Sequence, residues 1–164
     1  MKSIQMDAET ASAAVRALSA TEADLVSFDG ESLVGPDAII DSVAALDIAA
    51  LKKSDLLAYA AARRFAVENG GTTINGLSVS TDRQSQAMLN AAFNMAKENP
   101  NFSTMWKGVD GNFTQLTAEQ IVAIAQAVGA FVANCFAAEA AVVNGINAGN
   151  ITTRAQVDSA IVVS

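Results

Sequence analysis

Few residues of this chain have the types and spacing that catalysis requires. The 164-residue sequence contains no histidine and one cysteine, which removes the commonest general base and the commonest transition-metal ligand. Cys135 lies in an apolar stretch without a neighbouring base, so we expect a buried, unreactive thiol. Asp110-Gly111-Asn112 lacks the spaced acids of a calcium loop, and Gly70-Gly71 lacks the lysine of a phosphate loop. We therefore expect no enzyme activity, no cofactor and no metal site.

The acidic charge of the chain is concentrated in its first fifty residues. They carry nine acidic side chains against Lys2 and Arg16, which accounts for the net charge of −7. Residues 51–164 are neutral, with eight acids and eight bases. An acidic protein of this kind is a poor partner for nucleic acid. The asymmetry predicts two parts: an acidic N-terminal docking arm or small subdomain over residues 1–50, and a domain over residues 51–164.

We do not expect this sequence to contain an apolar segment that inserts in a membrane. The N-terminus turns acidic at Asp7 without an apolar leader. The longest apolar stretch, residues 121–143, is interrupted by Gln126, Asn134 and Glu139. The sequence thus predicts a protein that is made in a cytoplasm and has no membrane partner.

A hairpin signal followed by a helix-capping signal occurs twice. The first copy runs over residues 72–80 with an Asn75-Gly76 turn, and Thr81-Asp82-Arg83-Gln84 follows it as a capping box. The second has Asp110-Gly111 at its turn, and its capping box begins at Thr117. This pattern predicts an α+β fold in which two hairpins form or extend one small antiparallel sheet.

Each hairpin has a face that we expect to be buried. A two-residue turn in the first hairpin places Ile74, Leu77 and Val79 on one face. An even loop length in the second places Trp106 and Phe113 on a common face, as a core or interface pair.

Three main helices are expected to cover this sheet, near residues 54–69, 82–98 and 118–148, with Ser54 as the first cap. The last would be a rod of roughly 45 Å. It carries two apolar stripes, which indicates two buried faces. One stripe follows Ile121, Ile124, Val128, Phe131, Cys135, Ala138 and Val142, and the second follows Val122, Ala125, Gly129, Val132, Phe136, Ala140 and Val143. We expect a homo- or hetero-oligomer, with Val128, Val132, Phe136 and Val143 as candidate interface residues.

The first fifty residues also contain apolar side chains that suit a folded contact surface. A hairpin is expected about Asp29-Gly30, and a helix start at Gly35-Pro36-Asp37 with the proline in its first turn. The candidate interface residues here are Leu25, Phe28, Ile39 and Ile40. Two interpretations stay open: this segment docks on a neighbouring protein, or it packs on the long helix of its own chain.

Several short motifs of the last two-thirds of the chain, taken in order, resemble a known family. They are residues 63–71, Ile74-Asn75-Gly76, residues 80–86, Trp106-Lys107 with Asp110-Gly111, Leu116-Thr117, residues 135–139 and Ile151-Thr152-Thr153. This set resembles a domain-of-unknown-function family found in tail-fibre and tail-fibre-associated proteins of bacteriophages and prophages.

The resemblance implies a phage tail setting and supplies no catalytic residues. It leads us to expect a structural or adaptor protein of the virion, at the baseplate or the tail-fibre attachment region, with other tail proteins as partners. The alternative is a tail-fibre assembly chaperone that is absent from the mature particle.

Overall fold

A computed structural model describes residues 1–108 and 111–162. The fold is α+β, as predicted, and the chain divides into two compact units, residues 1–58 and 59–164. The division falls inside helix α4 (Ile48–Asn69).

The first unit is a three-stranded antiparallel sheet with helices. Its elements are β1 (Lys2–Gln5), α1 (Ala8–Arg16), α2 (Ala20–Ala23), β2 (Ser27–Phe28), β3 (Ser32–Gly35), α3 (Asp37–Ala44) and the start of α4. The strand order is β1-β3-β2, and the core is formed by Ala14, Leu33, Ile40 and Val43.

The predicted hairpin about Asp29-Gly30 is confirmed by the pairing of β2 with β3. The Asp29 carboxylate accepts the backbone N–H groups of Glu31 and Ser32, and Gly30 has a φ of 108°. Strand β1 pairs with the other edge of β3 and was not expected from the sequence. Helix α3 begins at Asp37, within the predicted start, but Pro36 is its N-cap residue and lies before the first turn.

The predicted start of α4 at Ser54 is wrong. The helix begins at Ile48, and Ser54 lies inside it. The carboxylate of Asp47 accepts the N–H of Ala50 at 3.0 Å, so an earlier capping residue supplies the acceptor that the first turn needs. The predicted end at Asn69 is confirmed, and Gly71 follows with a φ of 86°.

The second unit contains two hairpins and the longest helix. After α4 come β4 (Thr72–Ile74), β5 (Leu77–Val79), α5 (Arg83–Glu98), β6 (Ser103–Lys107), β7 (Phe113–Thr117), α6 (Ala118–Asn147) and α7 (Arg154–Ala160). The two hairpins do not share a sheet, contrary to our expectation, because β4–β5 and β6–β7 are separate two-stranded sheets. Both pack instead on a core shared with α5 and α6, which includes Val79, Leu89, Leu116, Ile121 and Val128.

The first hairpin has the predicted two-residue turn. Asn75 and Gly76 both have positive φ, 51° and 81°, as a type I′ turn requires. Ile74 pairs with Leu77, and Val79 is buried on the same face.

The prediction that Trp106 and Phe113 share a face is wrong. Trp106 pairs with Thr114 and Phe113 with Lys107, so the two aromatic side chains lie on opposite faces of the hairpin. The loop between the strands has an odd number of residues, 108–112, which shifts the register by one. Gly111 has a φ of 83°, whereas Asp110 of the predicted turn lies outside the described residues.

The predicted cap of α6 is confirmed, and α7 has a cap of the same kind. Thr117 forms a capping box with Gln120, and Thr153 forms one with Gln156. The predicted cap of α5 at Thr81 is wrong by one residue, because the side chain of Asp82 accepts the N–H groups of Gln84 and Ser85. Helix α6 ends before Gly149, which has a φ of 76°.

Candidate interface on the carboxy-terminal unit

The two stripes of α6 have different surroundings. In the first stripe Ile121, Ile124, Val128, Cys135 and Val142 are buried within the chain. The second stripe, as defined above, is only partly covered. Its Gly129, Phe136 and Ala140 are exposed, and its valines at 122, 132 and 143 are half-buried. Phe136 keeps 46% of its surface exposed.

Helix α6 is more apolar than its burial explains. An 18-residue window has a mean hydropathy of 1.9, yet only 28% of that window is buried. By length and composition this helix could cross a membrane, a criterion that core helices of soluble proteins also meet. Within this helix, Glu139 is paired with Arg64 of α4.

A buried ion-pair cluster lies beside the second stripe. Glu68 of α4 is fully buried and pairs with Arg64, one turn earlier, and with Arg83, whose Nη2 lies 2.9 Å from Glu68 Oε1. The Nε of Arg64 also donates to Glu139 Oε2 at 2.8 Å. This hydrogen bond raises the pKa of the Arg64 guanidinium, and the hydrogen bond to Glu68 raises it further. Two arginines thus face two carboxylates, so the cluster is electrically balanced.

The cluster extends to two half-exposed aromatic rings. The guanidinium carbon of Arg64 lies 4.4 Å from the ring centroid of Phe136 and 5.9 Å from that of Phe65. Because Arg64 is held by Glu68 and Glu139, this cation–π contact restricts the Phe136 side chain. A restricted aromatic side chain loses little entropy when it becomes buried in a complex.

The segment before α5 is tied to the end of α4 by a buried hydroxyl. Thr81 donates to the carbonyl oxygen of Glu68 at 2.6 Å and accepts the N–H of Gly71 at 2.9 Å. The adjacent Asp82 accepts hydrogen bonds from Ser80 and Ser85, which hold the pKa of its carboxyl far below the usual range. These bonds fix Arg83 next to Glu68.

Two other basic residues of α4, Arg63 and Lys52, have acidic neighbours within their own units. The Nε of Arg63 lies 3.3 Å from Oδ1 of Asp158 in α7. The carboxylate of Asp158 also accepts a hydrogen bond from the hydroxyl of Tyr59. That hydrogen bond raises the pKa of Tyr59. In the first unit Lys52 lies 3.6 Å from Asp7.

Two grooves border α6. The larger, about 600 Å³, lies between the first hairpin, β7 and the first turns of α6, and Ile74, Leu77, Leu116 and Ile124 supply its apolar lining. The smaller, about 220 Å³, lies between α5 and α6. It is lined by Gln86, Leu89, Asn90, Ala125, Val128, Gly129 and Val132. The second groove therefore includes three members of the second stripe.

The candidate interface residues of the first unit have different degrees of burial. Ile39 and Ile40 are buried, and Ile40 belongs to the core of that unit. Phe28 is half-buried, whereas Leu25 keeps 55% of its surface exposed.

The candidate residues of the second unit also differ in burial. Val128 lies in the core of that unit, and Trp106 packs against this core. Phe113 is 63% exposed, and the Nζ of Lys107 lies 5.7 Å from the centroid of its ring. The accessible candidates are thus Leu25, Phe113 and Phe136.

Side chains of the types that bind a metal ion or act as a nucleophile can be located in the described part of the chain. No group of three or more His, Cys, Asp or Glu side chains there could hold a metal ion. Cys135 is buried, and its burial raises the pKa of the thiol. A raised pKa leaves the thiol protonated and poorly nucleophilic.

The second unit is thus a small α+β domain with a half-exposed apolar helix next to a buried charge cluster. The family described as domain of unknown function (DUF4376) matches residues 51–162, and the chain belongs to that family. No curated protein and no solved structure matches the chain.

The ion-pair cluster was missed by the sequence reasoning. The four-residue spacing of Arg64 and Glu68 on one helix was a usable signal. Arg83 and Glu139, by contrast, are brought to the cluster by tertiary packing.

Proposed function

We propose that this chain is a non-enzymatic structural or adaptor protein of a bacteriophage tail, at the baseplate or the tail-fibre attachment region. The phage setting is supported by the resemblance of residues 63–153 to tail-fibre-associated proteins. The adaptor role is supported by one structural observation, the second stripe of α6. It exposes Phe136, Gly129 and Ala140 on a helix whose most apolar window is mostly unburied.

An exposed apolar stripe of this size has a physical consequence. Burying a large apolar side chain contributes about 1.5 to 3 kcal/mol, whereas a stripe left in water promotes aggregation. Occupation of the stripe by another protein removes that hazard and supplies binding free energy. Tail assembly, in which each subunit is permanently in contact with neighbours, satisfies this requirement.

The first unit supplies a second contact in this proposal. Its acidic side chains increase the rate of encounter with a basic patch on a tail neighbour, and Leu25 offers exposed apolar area. Because the unit has its own core, it acts as a folded docking subdomain and not as a solvated tail.

Quantitative mass spectrometry of gradient-purified particles tests the proposal. We expect the chain at a fixed ratio to the major tail proteins. An assembly chaperone would instead be present in lysates of infected or induced cells and depleted from purified particles. Absence from both the particles and their assembly intermediates would contradict both roles.

A further inference from the structure

We propose that the second stripe of α6 and the groove beside it pack against the same surface of a second copy of this chain, across a two-fold axis near Val132. This inference rests on the proposed function, because it names a partner for the same stripe.

The stripe carries a large exposed side chain and an open position. Phe136 keeps 46% of its surface exposed. Gly129, two helical turns earlier on the same flank, has no side chain, and a Cβ added there would meet nothing within 4 Å. The groove of about 220 Å³ includes this open position.

A two-fold axis brings these two features together. When identical helices cross antiparallel with their midpoint between Val132 and Ala133, residue 136 of each copy faces residue 129 of the other. The same contact then forms twice, as an isologous interface requires. Phe136 would enter the open position at Gly129 as a side chain packs into a groove between helices. The contact with Arg64 already restricts Phe136, which lowers the entropy that docking costs.

The charge of the surface favours a second copy over a charged partner. Helix α6 has no charged side chain from Gln120 to Ala138, and α5 has none from Gln84 to Ala96. An acidic or basic partner would lose hydration at this surface without gaining an opposite charge. An identical uncharged surface matches it, and the amides of Gln86 and Asn90 on the groove wall can donate and accept without a charged partner.

The substitution Gly129→Leu tests the inference in the full-length chain. Since a Cβ at this position meets nothing within 4 Å, the leucine has room at its attachment point, and its outer carbons extend into the groove. By light scattering coupled to size exclusion, we expect the wild type to be a dimer and Gly129→Leu to dissociate at least about tenfold more readily. The matched control, Ala141→Leu, adds the same side chain at an exposed position on the other side of α6 and leaves the dimer intact. Equal dissociation constants for wild type and Gly129→Leu would overturn the inference.

A cross-linking experiment tests the position of the axis. Val132→Cys places two thiols near each other across the proposed axis, so mild oxidation should give a covalent dimer. Ala141→Cys should remain uncross-linked under the same conditions. Cross-linking of Ala141→Cys but not Val132→Cys would place the contact elsewhere and contradict the inference.

The inference and the proposed function can fail separately. A wild-type chain that is monomeric at about 100 μM but present in particles contradicts the dimer and leaves the tail role. A dimer that is sensitive to Gly129→Leu, together with particles that lack the chain, supports the dimer and contradicts the tail role. A monomer that binds a different tail protein through this stripe would also overturn the dimer.

Discussion

The guanidinium of Arg64 lies 4.4 Å from the ring centroid of Phe136. The same guanidinium pairs with the fully buried Glu68 and with Glu139. One side chain therefore connects a buried charge cluster to the exposed ring that we place at the centre of an interface. Stability of the second unit and the conformation of its candidate surface thus depend on the same residue.

Replacing Arg64 by methionine should destabilise the protein substantially. Of its ion-pair partners among the described residues, Glu68 would keep the exposed Arg83, and breaking a buried ion pair costs about 3 to 5 kcal/mol. Urea denaturation monitored by circular dichroism measures the change. As a control, Lys2→Met removes one member of the exposed pair with Asp41 and should leave the transition within error. Equal midpoints for the two variants would show that the buried cluster contributes little.

Arg64→Lys should resemble Arg64→Met and not the wild type. A lysine ammonium cannot reproduce the planar fork that reaches Glu68 and Glu139 at once. A lysine variant with wild-type stability would indicate that charge alone, without geometry, satisfies the two carboxylates.

Because of the type I′ turn, we expect the free energy of unfolding to depend strongly on Gly76. Its φ of 81° is unfavourable for a β-branched residue, so Gly76→Val should lower the free energy of unfolding by about 1 to 3 kcal/mol. Ser78→Val is the matched control, because it introduces the same side chain on the exposed face of β5 in an extended conformation. Thermal unfolding compares the two. A similar loss of stability in both variants would show that the valine side chain, and not the conformation of the turn, causes the loss.

Sequence reasoning succeeded where a local signal determines the structure. Asn75-Gly76 specifies a turn through φ alone, and the box at Thr117 specifies a helix start through hydrogen bonds three residues apart. It failed where the outcome depends on distant partners or loop length. Strand β1 exists through pairing with β3, and the odd loop of the second hairpin separates Trp106 from Phe113.

The candidate surface was predictable only in part. Periodicity found both stripes of α6, but it did not distinguish the core residue Val128 from the half-exposed Phe136. That distinction depends on how α5 packs against α6, which no spacing in the sequence encodes. The same limit applies to the separation of the two hairpins into two sheets.

The hydrogen bonds of Asp82 should make stability depend on pH below about 4. The pKa of this carboxyl is lower in the folded state than in the unfolded chain, so its contribution is fully present at neutral pH. It is lost as the pH falls through the lowered folded-state pKa. The wild type should therefore be more stable than Asp82→Asn at pH 7, and the difference should shrink as the pH is lowered. A difference that is constant between pH 7 and strongly acidic conditions would contradict this origin.

Deleting residues 1–50 should separate folding from docking. We expect residues 51–164 to remain folded by circular dichroism, because the second unit has its own core, and to fail to enter particles. The deletion also removes Asp47 and the first three residues of α4, so some fraying of that helix is expected. An unfolded or aggregated fragment would show instead that the first segment completes the core of the second.

Immunogold electron microscopy of intact particles, with antibodies against the purified chain, tests the tail role most directly. We expect gold at the baseplate or at the bases of the tail fibres, and no gold on particles from a strain that lacks the coding sequence. Gold confined to the capsid, or unlabelled tails on particles from cells that produce the chain, would contradict it.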